Sequence, residues 1–190
     1  MRSSGMNKLI FTNTVKHTYT KSPISNIHNV YKNGLKGVWG GSRHSMWPHK
    51  YYSGLTRRTA EKRRKEITHF GKYHWKDPRG YVGFTTDIGR KTRKSQYTAE
   101  WDRLFPSAKS LEEKSRATGV PLKYLKESYN RGMAAWRTGH RPGATQQQWG
   151  YARVHSLLLC GKTHYMTDAD IVRDAKKHSI KARKWFERCD

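Results

Sequence analysis

Acid is what this sequence lacks most. Only 14 of its 190 residues are Asp or Glu, against 39 Lys or Arg, and none of the 14 precedes Glu61. The formal charge of +25 makes an isolated monomer repel itself and points to polyanions or an acidic protein surface as partners. Apolar residues are scarce too: with 34% hydrophobic and 28% charged, the core is modest, enough for one ordinary domain plus extensions. No run of about 18 apolar residues exists, which excludes a spanning helix, and the N-terminus has no signal-peptide block; a soluble, intracellular protein is expected. Cys160 and Cys189 are the only cysteines, too few for a disulfide framework or a four-cysteine zinc site, so both are expected to be reduced. There is no G-x-S-x-G, no H-E-x-x-H and no phosphate loop. Cys160 and His164 form a C-x3-H pair without a second pair at ligand spacing. No metal, cofactor or catalytic residue is therefore assigned, and a non-enzyme is expected.

What the chain does possess is a legible helical hairpin between Gly119 and Gly161. Pro121 suits a helix start, because its missing N–H would have had no helical partner. Leu122, Leu125, Tyr129, Met133 and Trp136 recur at three- and four-residue steps, predicting a helix that ends near Thr138 with Gly139 in the left-handed position. After His140-Arg141-Pro142-Gly143, Thr145 and Gln148 form a T-x-x-Q capping box, and a second helix is predicted from Gln146 to about Cys160. Its two stripes, one through Trp149, Ala152, Ser156 and Leu159 and the other through Tyr151, Val154 and Leu158, predict neighbours on two sides.

The fold class expected is mainly α: a small helical C-terminal domain over 96–190, a basic helix with a hairpin or loop over 56–95, and a long extended basic arm over 1–55. The arm carries no sustained period. Its aromatic residues Trp39, Trp47, Tyr51 and Tyr52 are candidate anchors for a partner's pockets. Thr56 opens a short helix over Arg57 to Glu66 in which Arg57, Arg58, Lys62, Arg63, Arg64 and Lys65 leave almost no apolar face, so it is either solvated or laid on an anionic surface. Glu66 to Phe84, with the turn signal Asp77-Pro78-Arg79-Gly80, reads as one short β-hairpin or two extended pieces. Arg90, Lys91, Arg93 and Lys94 form a second basic cluster in a loop. Tyr97, Trp101, Leu104 and Phe105 predict a helix ended by Pro106, and Ser110 opens another that Gly119 closes. Thr167 is expected to cap a helix with Asp168 and Asp170 in its first turn, followed by a break at Ser179-Ile180.

Three readings compete for the basic clusters: nucleic-acid phosphates, acidic protein, or a plain solvated face. The Thr138–Gly143 turn is the best candidate for a specific role. Arg131, Arg137, His140 and Arg141 could gather an anion there, because no acidic residue falls between Glu127 and Asp168. Against that stands a turn whose glycines and proline merely set geometry, with His140 bonding a backbone carbonyl. The hairpin also has the outline of a helix-turn-helix, but Leu157-Leu158-Leu159 are not residues that read bases.

The Y-x-R-G-x-A-A-W-x-T-G-H-R-P-G run from Tyr129 to Gly143, the Q-W-x-Y-A-R run from Gln148 to Arg153 and the T-D-x-D of Thr167 to Asp170 resemble an uncharacterised domain of large double-stranded DNA viruses and some tailed phages. Lys65 to Gly71, KEITHFG, resembles a short element of other giant-virus proteins. The resemblance implies a viral origin and brings no established activity. Together with the acid-free arm it leads to the expectation of a minor capsid or capsid-associated virion protein, bound through its arm to other capsid proteins in a large assembly. The alternative is a non-sequence-specific nucleic-acid-binding virion protein involved in genome packaging.

Overall fold

A computed structural model describes residues 47–189. Residues 1–46, with most of the expected arm and Trp39, lie outside the described residues. The fold is mainly helical, with no strand among the described residues. In chain order the helices are α1 (Arg57–Gly71), α2 (Gln96–Leu104), α3 (Leu111–Thr118), α4 (Leu122–Trp136), α5 (Gln146–Leu158), the single turn α6 (Lys162–Tyr165), α7 (Ala169–His178) and α8 (Ile180–Phe186).

The α4–α5 hairpin is the spine. Thr145 Oγ1 accepts from Gln148 N while Gln148 Oε1 accepts from Thr145 N, completing the expected capping box. Five consecutive residues of α5, Val154 to Leu158, are buried. A helix so enclosed must have neighbours on several sides, and α2, α4 and α6 supply them. Glycine sets how closely α4 and α5 approach: a Cβ on Gly132 would lie 2.8 Å from the Gly150 Cα. Trp101, Val120, Leu125, Leu157, Ile171, Ala175 and Phe186 fill the main core. Ser110 and Glu113 form a second capping box on α3, which closes at Gly119 with φ of 72°.

Four expectations need correction. First, the hairpin over Glu66 to Phe84 does not form. Instead α1 continues to Gly71, and 3-10 turns follow at Pro78–Tyr81 and Thr85–Asp87. Within the segment the backbone bonds are local turns, Tyr73 N to Phe70 O, Asp77 N to His74 O and Gly80 N to Asp77 O, rather than a strand ladder, and the Glu66 carboxylate accepts from Thr85 N, Thr85 Oγ1 and Thr86 Oγ1 just beyond it. Second, Asp168 rather than Thr167 is the N-cap residue of α7, and its side chain does not cap. Completely buried, it accepts from Ser128 Oγ at 2.7 Å and from Arg153 Nε at 3.0 Å and Nη2 at 2.5 Å. Third, Cys160 and Cys189 form a disulfide, their Cα atoms 5.3 Å apart across a separation of 29 residues. The C-terminal helix folds back over the end of α5, with Trp185 Nε1 donating to Leu158 O at 3.2 Å, a proximity that cysteine counting cannot reveal. Fourth, residues 47–55 of the expected arm are docked on the helical domain, as described next.

Candidate anion-binding site

The turn between α4 and α5 is a hub whose residues, one excepted, serve the fold. His140 is fully buried, its ring stacked on Trp136 with centroids 4.2 Å apart. Its Nδ1 lies 2.7 Å from Trp136 O, the backbone-carbonyl arrangement weighed from sequence, and its Nε2 lies 2.7 Å from Asp87 Oδ2. Asp87 Oδ1 also accepts from Gly143 N at 2.8 Å and from Arg63 Nη1 at 2.6 Å. Arg63, with no exposed surface, also donates to Thr86 Oγ1 and to His140 O and lies over the Phe84 ring. Burial raises the Asp87 pKa, but the hydrogen bonds from His140 and Gly143 and the charge of Arg63 outweigh it and leave it lowered. A Cβ at Gly143 would run into the Arg90 carbonyl, and one at Gly139, whose φ is 130°, would lie 2.6 Å from the Tyr51 ring.

Arg141 is the exception. Its guanidinium makes no hydrogen bond or ion pair among the described residues and faces a cleft of about 340 Å³, whose other basic lining is His49, Lys50, Lys91 and Arg93. Among the described residues no carboxylate lines this cleft. Partial burial followed by the neighbouring charge of Arg93 lowers the Arg141 pKa. For Lys50 the causes are burial first, then the charges of Arg141 and Lys162. Cations held together without a counter-charge, on flexible stems around a concave surface, suit the oxygens of a polyanion.

The residues singled out from sequence separate accordingly. Lys91, Arg93 and Arg141 meet at the cleft, while Arg57, Arg58, Lys62 and Lys65 lie exposed along α1. Arg64 lies over the Tyr52 ring, Arg90 Nη1 donates to Gly54 O at 2.6 Å, and Lys94 pairs with Asp102 at 2.8 Å. Arg63 and His140 belong to the buried hub. Arg131 is engaged by Glu127 and Asp170, both at 2.6 Å, and by Asp168; its hydrogen bonds bring the Asp170 pKa down to about 2. Arg137 Nη1 donates to Gly71 O at 3.3 Å. The carboxylates absent from the local sequence thus arrive from α7 and from the loop before α2. Trp47, Tyr51 and Tyr52 are half-buried, and Tyr51 and Tyr52 pack within the chain rather than standing free for a partner. Asp87 escaped sequence reasoning because it stands in a turn-rich loop with no motif around it. His49 and Lys50 were visible only as basic residues interleaved with aromatic ones.

Fold and site together define a helical domain with an unneutralised basic cleft beside a buried acid–base hub. Residues 48–176 match a family of unknown function (DUF5824), and the chain belongs to that family. No curated protein and no solved structure matches it.

Proposed function

We propose that this protein is a non-enzymatic, non-sequence-specific nucleic-acid-binding component of a virion. The observation that carries the reading is the cleft, where Lys50, Lys91, Arg93 and Arg141 converge without a carboxylate. Phosphodiester backbone is the polyanion best matched to separate cationic heads on flexible stems, because each neutralised phosphate releases condensed counterions. The exposed basic face of α1 extends the same field. Virion membership rests on the likeness of the Tyr129–Gly143, Gln148–Arg153 and Thr167–Asp170 runs to a domain of large DNA viruses and tailed phages. Binding to duplexes of unrelated sequence, followed by fluorescence anisotropy across a salt series, tests the reading. Equal affinities are expected, with log K falling against log[salt] at a slope of about −3 to −4 if the four cleft cations each hold a phosphate. Arg141→Ala should make that slope shallower by about one. Salt-independent binding, or none at low salt, refutes it.

A second reading, a minor capsid or capsid-associated protein that holds neighbouring capsid subunits through a basic arm, is favoured by the acid-free first 60 residues. The Cys160–Cys189 disulfide also favours it, since such bonds persist on virion surfaces and in other oxidising surroundings. Mass spectrometry of purified virions should find the protein at many copies; its absence from virions removes this reading and the virion assignment alike.

A further inference from the structure

The cleft is assembled from three separate segments: residues 47–55, the loop Lys91–Arg93, and the turn at Arg141. The first is the least firmly held. It is built on one 3-10 turn, His49–Tyr51, none of whose residues is buried, and its own hydrogen bonds are local, from Tyr51 N to Pro48 O, Tyr52 N to His49 O and Leu55 N to Tyr52 O. What fastens it to the domain is chiefly aromatic. The Tyr51 ring lies against the bare backbone of Gly139, in space that any side chain there would occupy, and stands 6.0 Å from the Trp149 ring. Arg90 adds one hydrogen bond to Gly54 O. Lys50 Nζ sits 5.4 Å from the Trp149 ring centroid and 5.6 Å from that of Tyr51, so the cation reaches the cleft along the same aromatic seat.

Resting on the nucleic-acid reading above, we propose that Tyr51 is a positioning residue for phosphodiester binding, and that docking of residues 47–55 on the Gly139 seat is coupled to occupation of the cleft. The physical reason is mutual. Without an anion, docking gathers Lys50 beside Arg141 and Lys162 and is opposed by like charge; a phosphate between them reverses that sign. Without docking, the cleft lacks His49 and Lys50 and offers a bound phosphate fewer donors. Linkage then requires that whatever factor docking adds to DNA affinity, DNA adds to docking.

Hydrogen exchange on the full chain, with and without duplex DNA at low salt, reads one side of the coupling. The amides of Tyr51, Tyr52 and Leu55 should exchange more slowly when DNA is bound. Binding by the Tyr51→Ala variant reads the other side. Affinity should fall about three- to tenfold, as for loss of one phosphate contact, and the salt slope should become shallower by about one although no charge has been removed. Tyr51→Phe should bind as the wild type, and Tyr51→Ala combined with Lys50→Ala should be no weaker than Lys50→Ala alone. Thermal melting of Tyr51→Ala checks that α4 and α5 remain folded; if they do not, the exchange measurement on the wild type alone decides. An unchanged slope in a folded Tyr51→Ala variant, or amides indifferent to DNA, overturns the coupling while leaving the cleft intact, provided Arg141→Ala still weakens binding. If Arg141→Ala and Lys50→Ala both bind like the wild type, the nucleic-acid reading of the cleft falls as well. Inorganic polyphosphate as a competitor separates free phosphate chains from nucleic acid: displacement of DNA only at a large excess of phosphate groups supports the phosphodiester assignment, and preferential binding of polyphosphate overturns it.

Discussion

Asp87→Ala removes a carboxylate that holds three segments at once. Its Oδ1 serves Arg63 Nη1 and Gly143 N, and its Oδ2 faces His140 Nε2, joining α1, the loop before α2 and the turn before α5. The expensive consequence is at Arg63, whose side chain has no exposed surface and would keep only Thr86 Oγ1 and His140 O as acceptors. Breaking a buried pair by removing one partner costs about 3–5 kcal/mol, because a charge is left uncompensated. Asp87 is itself 18% exposed, so water can enter the vacated space and the lower end, about 3 kcal/mol, is expected. That is a large part of the 5–15 kcal/mol or so that stabilises a typical domain. Asp87→Asn, which keeps an acceptor and the volume but not the charge, should cost less, about 1.5–2 kcal/mol. Urea unfolding followed by tryptophan fluorescence and far-UV circular dichroism measures both. A loss below about 1 kcal/mol for Asp87→Ala would refute the view that this carboxylate compensates a buried guanidinium. Acid supplies an independent check. The Asp87 pKa is lowered on folding, so its contribution is fully present above the unfolded value of about 4 and is lost as pH falls through the lower folded value. The stability gap between wild type and Asp87→Ala should therefore narrow only below about pH 4.

Three further outcomes are expected. Reducing the Cys160–Cys189 disulfide, or replacing both cysteines by Ser, frees a loop of 29 residues and should cost about 3.5 kcal/mol by chain-entropy reasoning; two titratable thiols in the native, unreduced protein would contradict the pairing. Gly132→Ala should destabilise by about 1–3 kcal/mol through overpacking, since its new Cβ would lie 2.8 Å from the Gly150 Cα; a rise in melting temperature, as Ala's better helix propensity alone would give, would show that α4 and α5 are not so close. Burial, followed by the charge of Lys114, holds the His155 pKa down at about 3. Because the unfolded chain takes up that proton first, stability should fall as pH drops from about 6.5 toward 3, by at most about 1.4 kcal/mol per pH unit from this residue, and His155→Phe should flatten that slope; an unchanged slope would count against a neutral buried ring.

Helices were the legible part of this chain, and the reason is local. The helix start at Ser110, the capping box at Thr145, the stop at Gly119 and the three- and four-residue apolar spacing are all satisfied by groups a few residues apart, so the rules that write them also read them. Where residues face two ways, or answer to distant partners, the reading failed. Glu66 to Phe84 looked like a hairpin, yet α1 runs on to Gly71 and the Glu66 carboxylate is taken by Thr85 and Thr86, about twenty residues downstream, a pairing that no local rule writes. Arg131 and His140 looked like an anion trap because carboxylates from other elements, Asp170 and Asp87, reach them only in the fold. Cys160 and Cys189 looked like free thiols because their distance is a property of how the last helix returns. By itself, then, the sequence determined the helical class, most helix starts and stops, and a net charge of +25. Only the tertiary structure decided which cations stand without a carboxylate, because ion pairing depends on distances through space: it enclosed Arg63 and Arg131 among carboxylates and left Lys50, Lys91, Arg93 and Arg141 around one cleft lined by none of the described acids.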